Sequence, residues 1–211
     1  ILWESSVHAS AQKTELDFAA VLATDFEFDD PNDLIPIIDV AAQQYSNLVI
    51  IAKSLSERAI GLINYVNQQP KPFRLVAIKL PGDRTQQHLM LEEIEVVTGG
   101  RALRQDAGDT CSSIALNNFG RAKKVWVKDD FFCVEETDET KDERRTNYIL
   151  QLQKQFDEAS PQNKEPIRQR IGRLMGASAT IYVGGVNDRH IKDQKETIKR
   201  YISIIRSAYQ S

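Results

Sequence analysis

Cysteine is scarce in this chain: Cys111 and Cys133 are the only two among 211 residues. With three scattered histidines (His8, His88 and His190) they give no zinc-type spacing. Cys133 sits in an apolar stretch and Cys111 in a polar one, so two separate thiols are expected rather than a disulfide. Apolar runs are short, and none approaches the roughly 20 residues a bilayer-spanning helix needs. No secretory signal is visible. Positive charge is not in excess either. Lys and Arg total 27 against 30 Asp and Glu, a net charge of -3, and no basic stripe of the kind a duplex binder shows runs through the sequence. These absences argue against a zinc module, a membrane protein and a nucleic-acid partner.

The short motifs of phosphate and acyl chemistry are missing as well. There is no GxxxxGK[ST] loop, no GxGxxG after a strand and no G-x-S-x-G elbow. Gly99-Gly100 and Gly184-Gly185 are isolated pairs, read as turns that end a helix and a strand. Only the full spacing would bring several backbone N–H groups onto one phosphate. No histidine has an acidic or nucleophilic partner by spacing. Glu92 and Glu93, beside Asp83, are an acid/base pair by residue type alone, and a solvated helix face is the expectation for them.

What is present is enough for one good core with a helical appendage, at 41% hydrophobic residues. Ile1 in place of Met leads to the expectation of an excised or processed chain. Leu16 to Ala23 (LDFAAVLA), Asn47 to Ala52 (NLVIIA) and Phe73 to Leu80 (FRLVAIKL) read as buried strands. Between them lie a helix from Pro31 to about Gln44, capped by Asp29 or Asp30, and a helix to about Gln69. Ser54-x-x-Glu57 resembles a capping box for that second helix. This alternation predicts parallel pairing with crossover helices. A further helix over Gln86 to Val97 stops at Gly99-Gly100, and Lys124 to Glu135 reads as a hairpin.

From Glu136 the sequence turns polar, then helical. One helix carries Ile149, Leu152 and Phe156. Ser160-Pro161-Gln162-Asn163 makes a turn, and a second helix places Ile167, Ile171, Leu174 and Met175 on one face, which predicts an antiparallel pair. A short strand (Ala179 to Val183) and a terminal helix from about Arg189 to Tyr209 complete the chain.

The apolar arcs of two helices are wider than burial requires. Leu34, Ile37, Ile38 and Ala41 make a core stripe, and Ile35 and Ala42 widen it to roughly 160° where about 100° would serve. In the next helix Ala59, Leu62, Ile63 and Val66 form the core face, with Ile60 at one edge and Tyr65 at the other. Either a layer of protein covers these edges or an apolar groove lies open between the helices.

Over nearly its whole length the sequence resembles the GroEL family of group I chaperonins. The stretches that carry the resemblance are Glu15-Leu16 through Leu34-Ile35-Pro36-Ile37-Ile38, then Leu48 to Ala52, Val76 to Gly82 (VAIKLPG), Met90-Leu91-Glu92-Glu93-Ile94 with Thr98-Gly99-Gly100, Phe119 to Val125 (FGRAKKV), and Val183-Gly184. Their order and spacing, nearly gapless from Glu15 to Gly100, make the match specific. The resemblance implies an α/β fold: a GroEL-like apical domain of the swivelling β/β/α type, sheets flanked by helices, with a helical hairpin and a terminal helix. Residues 1–176 would be the apical polypeptide-binding domain and 177–211 part of the intermediate, or hinge, domain.

It also implies a chaperone. Non-native polypeptides and the co-chaperonin loop would bind at Ile35 and Ile38 of the first helix and at Ile60, Asn64 and Tyr65 of the second. This chain alone would be monomeric, without enzyme activity or cofactor, while the cytoplasmic parent would use ATP and magnesium and assemble with other chaperonin subunits in a ring. Several departures point to a divergent paralogue. Asn64 and Tyr65 stand where the family has aliphatic residues, and the family's Pro-Gly-Phe-Gly-Asp-Arg-Arg is here Pro81-Gly82-Asp83-Arg84-Thr85-Gln86-Gln87. Ile1-Leu2-Trp3 lies near an aromatic segment that also binds substrate in the family. Arg200 takes the position of the family's hydrolytic aspartate. The rival reading is a small α/β enzyme or receiver-like signalling domain, with Asp25, Asp29, Asp30 and Lys79 at strand ends as its acidic pocket and lysine.

Overall fold

The computed structural model describes residues 2–4, 6–7, 13–70, 73–128, 131–137, 143–176 and 183–209. In chain order the strands are β1 (Leu2–Glu4), β2 (Ser6–Val7), β3 (Lys13–Ala23), β4 (Glu27–Phe28), β5 (Asn47–Ala52), β6 (Ser54–Leu55), β7 (Arg74–Lys79), β8 (Gly120–Lys128) and β9 (Phe131–Glu136). The α-helices are α1 (Ile35–Ala42), α2 (Glu57–Gln68), α3 (Arg84–Thr98), α4 (Glu143–Glu158), α5 (Pro161–Leu174) and α6 (Asp188–Tyr209). Residues Ile1–Ala177 form one unit and Ser178–Ser211 a second, which contains α6.

Seven strands make one sheet in the order β1-β9-β8-β3-β5-β7-β2. The pairs β3–β5 and β5–β7 are parallel, as the alternation of strand and helix predicts, whereas β8 and β9 continue the sheet antiparallel from the other side of β3. Successive side chains of a strand point to opposite faces, and the two faces build two cores. Leu48, Ile50, Leu75 and Ala77 pack with Leu34, Ile37 and Ala41 of the α1 region and with Ala59 and Ile63 of α2. Val49, Ile51, Val76 and Ile78 pack on the reverse with Leu91, Ile94 and Val97 of α3, Leu152 of α4 and Leu174 of α5. With helices on both faces, β5 reads as an unbroken apolar run, and it is fully buried from Leu48 to Ala52.

Local signals set the boundaries, sometimes not where the sequence predicts. The helix expected from Pro31 begins as a 3-10 turn over Pro31–Leu34, N-capped by Asp30, and becomes α-helical only at Ile35. Pro36 has no N–H to give to the carbonyl four residues back. The cap of α2 is Ser56, whose Oγ accepts from Ala59 N at 3.2 Å. Ser54 lies in β6, so the expected capping box is displaced by two residues. Asp83 and Gln86 form a reciprocal capping box on α3, and Gly99 ends that helix with φ 75. Gly100 and Gly120 meet backbone to backbone, where a Cβ on either would collide with its neighbours. That contact accounts for the Gly99-Gly100 pair without any ligand. The strand expected at 179–183 lies outside the described residues, apart from Val183.

The hairpin α4–α5 corrects one expectation. Glu93 is not on a solvated face; it is wholly buried between α3 and the hairpin. Its Oε1 accepts from Arg170 Nε at 2.7 Å and Arg173 Nη2 at 3.2 Å. Alongside, the Tyr148 hydroxyl donates to Glu92 at 2.8 Å and meets Arg170. Burial, with Glu92 assisting, pushes the Tyr148 phenol well above its usual range, and the Arg170 charge opposes that rise. Spacing identifies the apolar face of the pair through Ile149, Leu152, Ile167, Ile171 and Leu174. Two residues leave it: Phe156 lies under Lys164 and Arg168 as a cation–π partner at 5.0 and 5.4 Å, and Met175 is exposed.

Candidate apolar groove between α1 and α2

Both α1 and α2 follow crossovers from one parallel strand to the next and bury residues in the same core, so they lie side by side on one face of the sheet. A hydrogen-bonded pair fixes which shoulder of α2 faces its neighbour. Asn67 donates from its carboxamide to Leu75 O at 2.8 Å and accepts from Leu75 N at 2.8 Å. The flanking Arg74 N donates to Ser46 O and Leu80 N to Ala52 O, so even-numbered residues of β7 turn toward β5. Leu75 therefore offers its N–H and C=O to the far edge, and Asn67 takes the place of a strand there.

Ile60, Asn64 and Asn67 share a shoulder at i, i+4 and i+7. That shoulder looks away from α1. Leu62 and Tyr65, with Arg58 one turn earlier, occupy the other shoulder and look toward it. On the α1 side, the turn Cys111–Ser113 packs along the helix, and the Cys111 thiol is raised by burial and then by the Asp33 charge. Asp33 and Val40 mark that flank. Ile35, Ile38 and Ala42, at i, i+3 and i+7, take the opposite one and face α2.

By helical phase, Ile35, Ile38 and Ala42 line the α1 side of the gap between the two helices, and Leu62 and Tyr65 line the α2 side. Ile35 is 43% exposed and Tyr65 62%, while Ile38 and Leu62 are half-buried against the core beneath. Of the five residues expected at the site, Ile35, Ile38 and Tyr65 are on the sides of their helices that turn toward the gap by phase, and Ile60 and Asn64 are on the other shoulder of α2. Leu62 is the wall residue that sequence reasoning assigned to the core. Its spacing of three from Tyr65 is visible in the sequence, but the side of α2 that meets α1 is set by Asn67 and the edge of β7. Covering such side chains stabilises by about 1.5–3 kcal/mol each when burial is complete, with no fixed hydrogen-bond pattern demanded of the ligand.

The acidic pocket of the rival reading is not assembled. Asp25 accepts from Gln105 N at 2.9 Å, Asp30 caps the 3-10 turn through Asn32 N at 2.9 Å, and Asp29 receives Ser56 Oγ on its backbone oxygen at 2.8 Å. Lys79 ends β7, paired with Ser6 and Ala52. Among the described residues no group of three His, Cys, Asp or Glu side chains is placed to hold a metal ion, and no helix is long and apolar enough to cross a membrane. Cys111 and Cys133 form no disulfide.

No family model matches the sequence. Two crystal structures of the chaperonin gp146 from the bacteriophage EL 2 (Pseudomonas aeruginosa), both in presence of ATP-BeFx, are similar to it. Their TM-scores are 0.67 and 0.68 and their sequence identities 17% and 16%, and each match covers 98% of this chain. The chain spans 41% and 42% of the length of those two chains. At such identity the likeness is one of architecture. The chain has a GroEL-like chaperonin domain fold, a mixed α/β sheet flanked by helices.

Proposed function

We propose that this chain is the polypeptide-binding, apical part of a chaperonin, and that the groove between α1 and α2 captures apolar segments of non-native proteins and the mobile loop of a co-chaperonin. The observation that carries the reading is the exposure of Ile35 and Tyr65 on two neighbouring helices of a chaperonin domain fold. Apolar burial is non-directional, which suits a site that must accept many sequences in extended or helical form. Residues 177–211 belong in this reading to the intermediate domain, and the chain alone is a monomer without enzyme activity. The setting is the cytoplasm, where Cys111 and Cys133 stay reduced.

Affinity for a chemically denatured client separates the groove from its surroundings. Ile35→Glu and Tyr65→Glu should each weaken binding about tenfold or more, because the new carboxylate must be desolvated when an apolar segment docks. Ile60→Glu, on the far shoulder, should weaken it less. Unchanged affinity in the first two variants, with circular dichroism intact, would remove the groove from the mechanism.

ATP and magnesium enter this reading through the longer parent ring of subunits. Arg200 lies on the polar side of α6 with Arg189, Lys192, Asp193, Glu196 and Thr197. A guanidinium has no acceptor and stays protonated, so it cannot act as a base toward water, and general-base help contributes roughly 10²–10⁴-fold. The parent should therefore bind ATP yet hydrolyse it slowly, and Arg200→Asp should speed single-turnover hydrolysis. Ordinary wild-type turnover with no gain in that variant would refute the assignment.

A further inference from the structure

The charge of the chain is not spread evenly. Between residues 25 and 69, the stretch that builds α1, α2 and their leads, seven acids stand against two bases, a local net of -5 where the whole chain carries -3. The remainder is accordingly positive by 2. One of the two bases, Lys53, is paired with Glu27 at 2.6 Å. Asp29, Asp30, Asp33, Asp39 and Glu57 are all exposed, and among the described residues none of them makes an ion pair. Arg58, on the groove side of α2, is the one remaining cation in this stretch.

Resting on the reading of the groove as a polypeptide site, we infer that it selects apolar segments that carry lysine or arginine, and disfavours those that carry acids. Neighbouring helix axes lie about 8–10 Å apart, which matches the Debye length of about 8 Å at physiological salt. Carboxylates on the exposed sides of the two helices, Asp39 and Glu57, therefore act on the gap between them across about one screening length. A net negative surface around an apolar site biases the local potential toward cationic partners. Rim charges of this kind act on encounter rate and on the choice among partners, while apolar contact holds the segment. Asp39 stands on the exposed side of α1 one turn beyond Ile35, and Glu57 on the exposed side of α2 one turn before Gly61, so both carboxylates point to solvent above the two helices rather than into the apolar walls. A client segment with cations at its ends would place them over these carboxylates and leave its apolar residues to Ile35, Ile38, Leu62 and Tyr65.

Two labelled peptides with the same apolar residues, one flanked by lysines and the other by glutamates, test this by fluorescence anisotropy. At low salt the lysine peptide should bind roughly tenfold more tightly, and at 1 M salt, where the Debye length falls to about 3 Å, the gap should close. The double variant Asp39→Lys, Glu57→Lys should shrink or reverse the gap while keeping affinity at high salt. Equal affinities at low salt, with Ile35→Glu still weakening both peptides, would overturn the charge preference and leave the groove standing. Absence of binding by either peptide would overturn the groove reading, and the preference with it.

Discussion

Replacing Glu93 with alanine should lower the stability of the domain by about 3–5 kcal/mol, the range seen when one partner of a buried ion pair is removed. Glu93 is fully buried in α3, and its carboxylate is the shared acceptor for Arg170 and Arg173 of α5. Arg170 is itself nearly covered, reaching Glu92 at 3.7 Å and lying 5.8 Å from the centre of the Tyr148 ring. Without Glu93 these guanidinium groups keep their desolvation and lose their main counter-charge. The hairpin α4–α5 should then loosen from the sheet first, held only by its apolar contacts around Leu152 and Leu174, the Tyr148–Glu92 hydrogen bond and the Arg145–Glu136 ion pair. Urea unfolding gives the number. A loss under about 1 kcal/mol would place the pair in the class of exposed bridges, whose contribution is small.

A larger effect is expected from two substitutions only two residues apart. Ile37→Glu should abolish cooperative folding. Ile37 is fully buried between α1 and the sheet, and an unpaired carboxylate there has no hydrogen-bond partner to offset the loss of water. Ile35→Glu should change stability by about 0.5 kcal/mol or less, as surface substitutions do, since that side chain is 43% exposed. Thermal melts of the two variants separate a core position from a groove position on the same turn of helix. Similar melting by both would mean that α1 is rotated from the orientation described.

Much of this architecture is legible in the sequence, for reasons that differ by element. β5 and β7 announce themselves because both of their faces are covered, which leaves uninterrupted apolar runs. α3 is bounded by Asp83 and Gly99, residues whose chemistry acts locally. The burial of Glu93 is not legible, because its partners Arg170 and Arg173 are 77 and 80 residues away in sequence, and a glutamate between Glu92 and Ile94 carries no mark of it. β1 and β2 escaped for another reason. Strands of three and two residues are too short for a periodic pattern, and their pairing with β9 and β7 is a tertiary matter.

The candidate site follows the same division. Wide apolar arcs on α1 and α2 reveal that something apolar remains to be covered. Which residues face each other across the gap depends on the rotation of α2, and that is fixed by Asn67 gripping Leu75. Helical spacing alone puts Ile60 and Tyr65 on different edges of α2 without telling which edge is the wall. Leu62 reads as a core residue in the sequence for the same reason: its position suits either surface until the neighbour is known.

In the proposed function, exposed apolar groups between α1 and α2 bind apolar segments of non-native chains. Calorimetric titration of the chain with a reduced, permanently unfolded client, repeated at several temperatures, measures this most directly. Burial of apolar surface on binding gives a negative heat-capacity change. The wild-type chain should show saturable binding with a clearly negative heat-capacity change, and the Ile35→Glu, Tyr65→Glu double variant, equally folded, should lose both. Binding that persists in the double variant with the same heat-capacity change would mean that Ile35 and Tyr65 do not form the site.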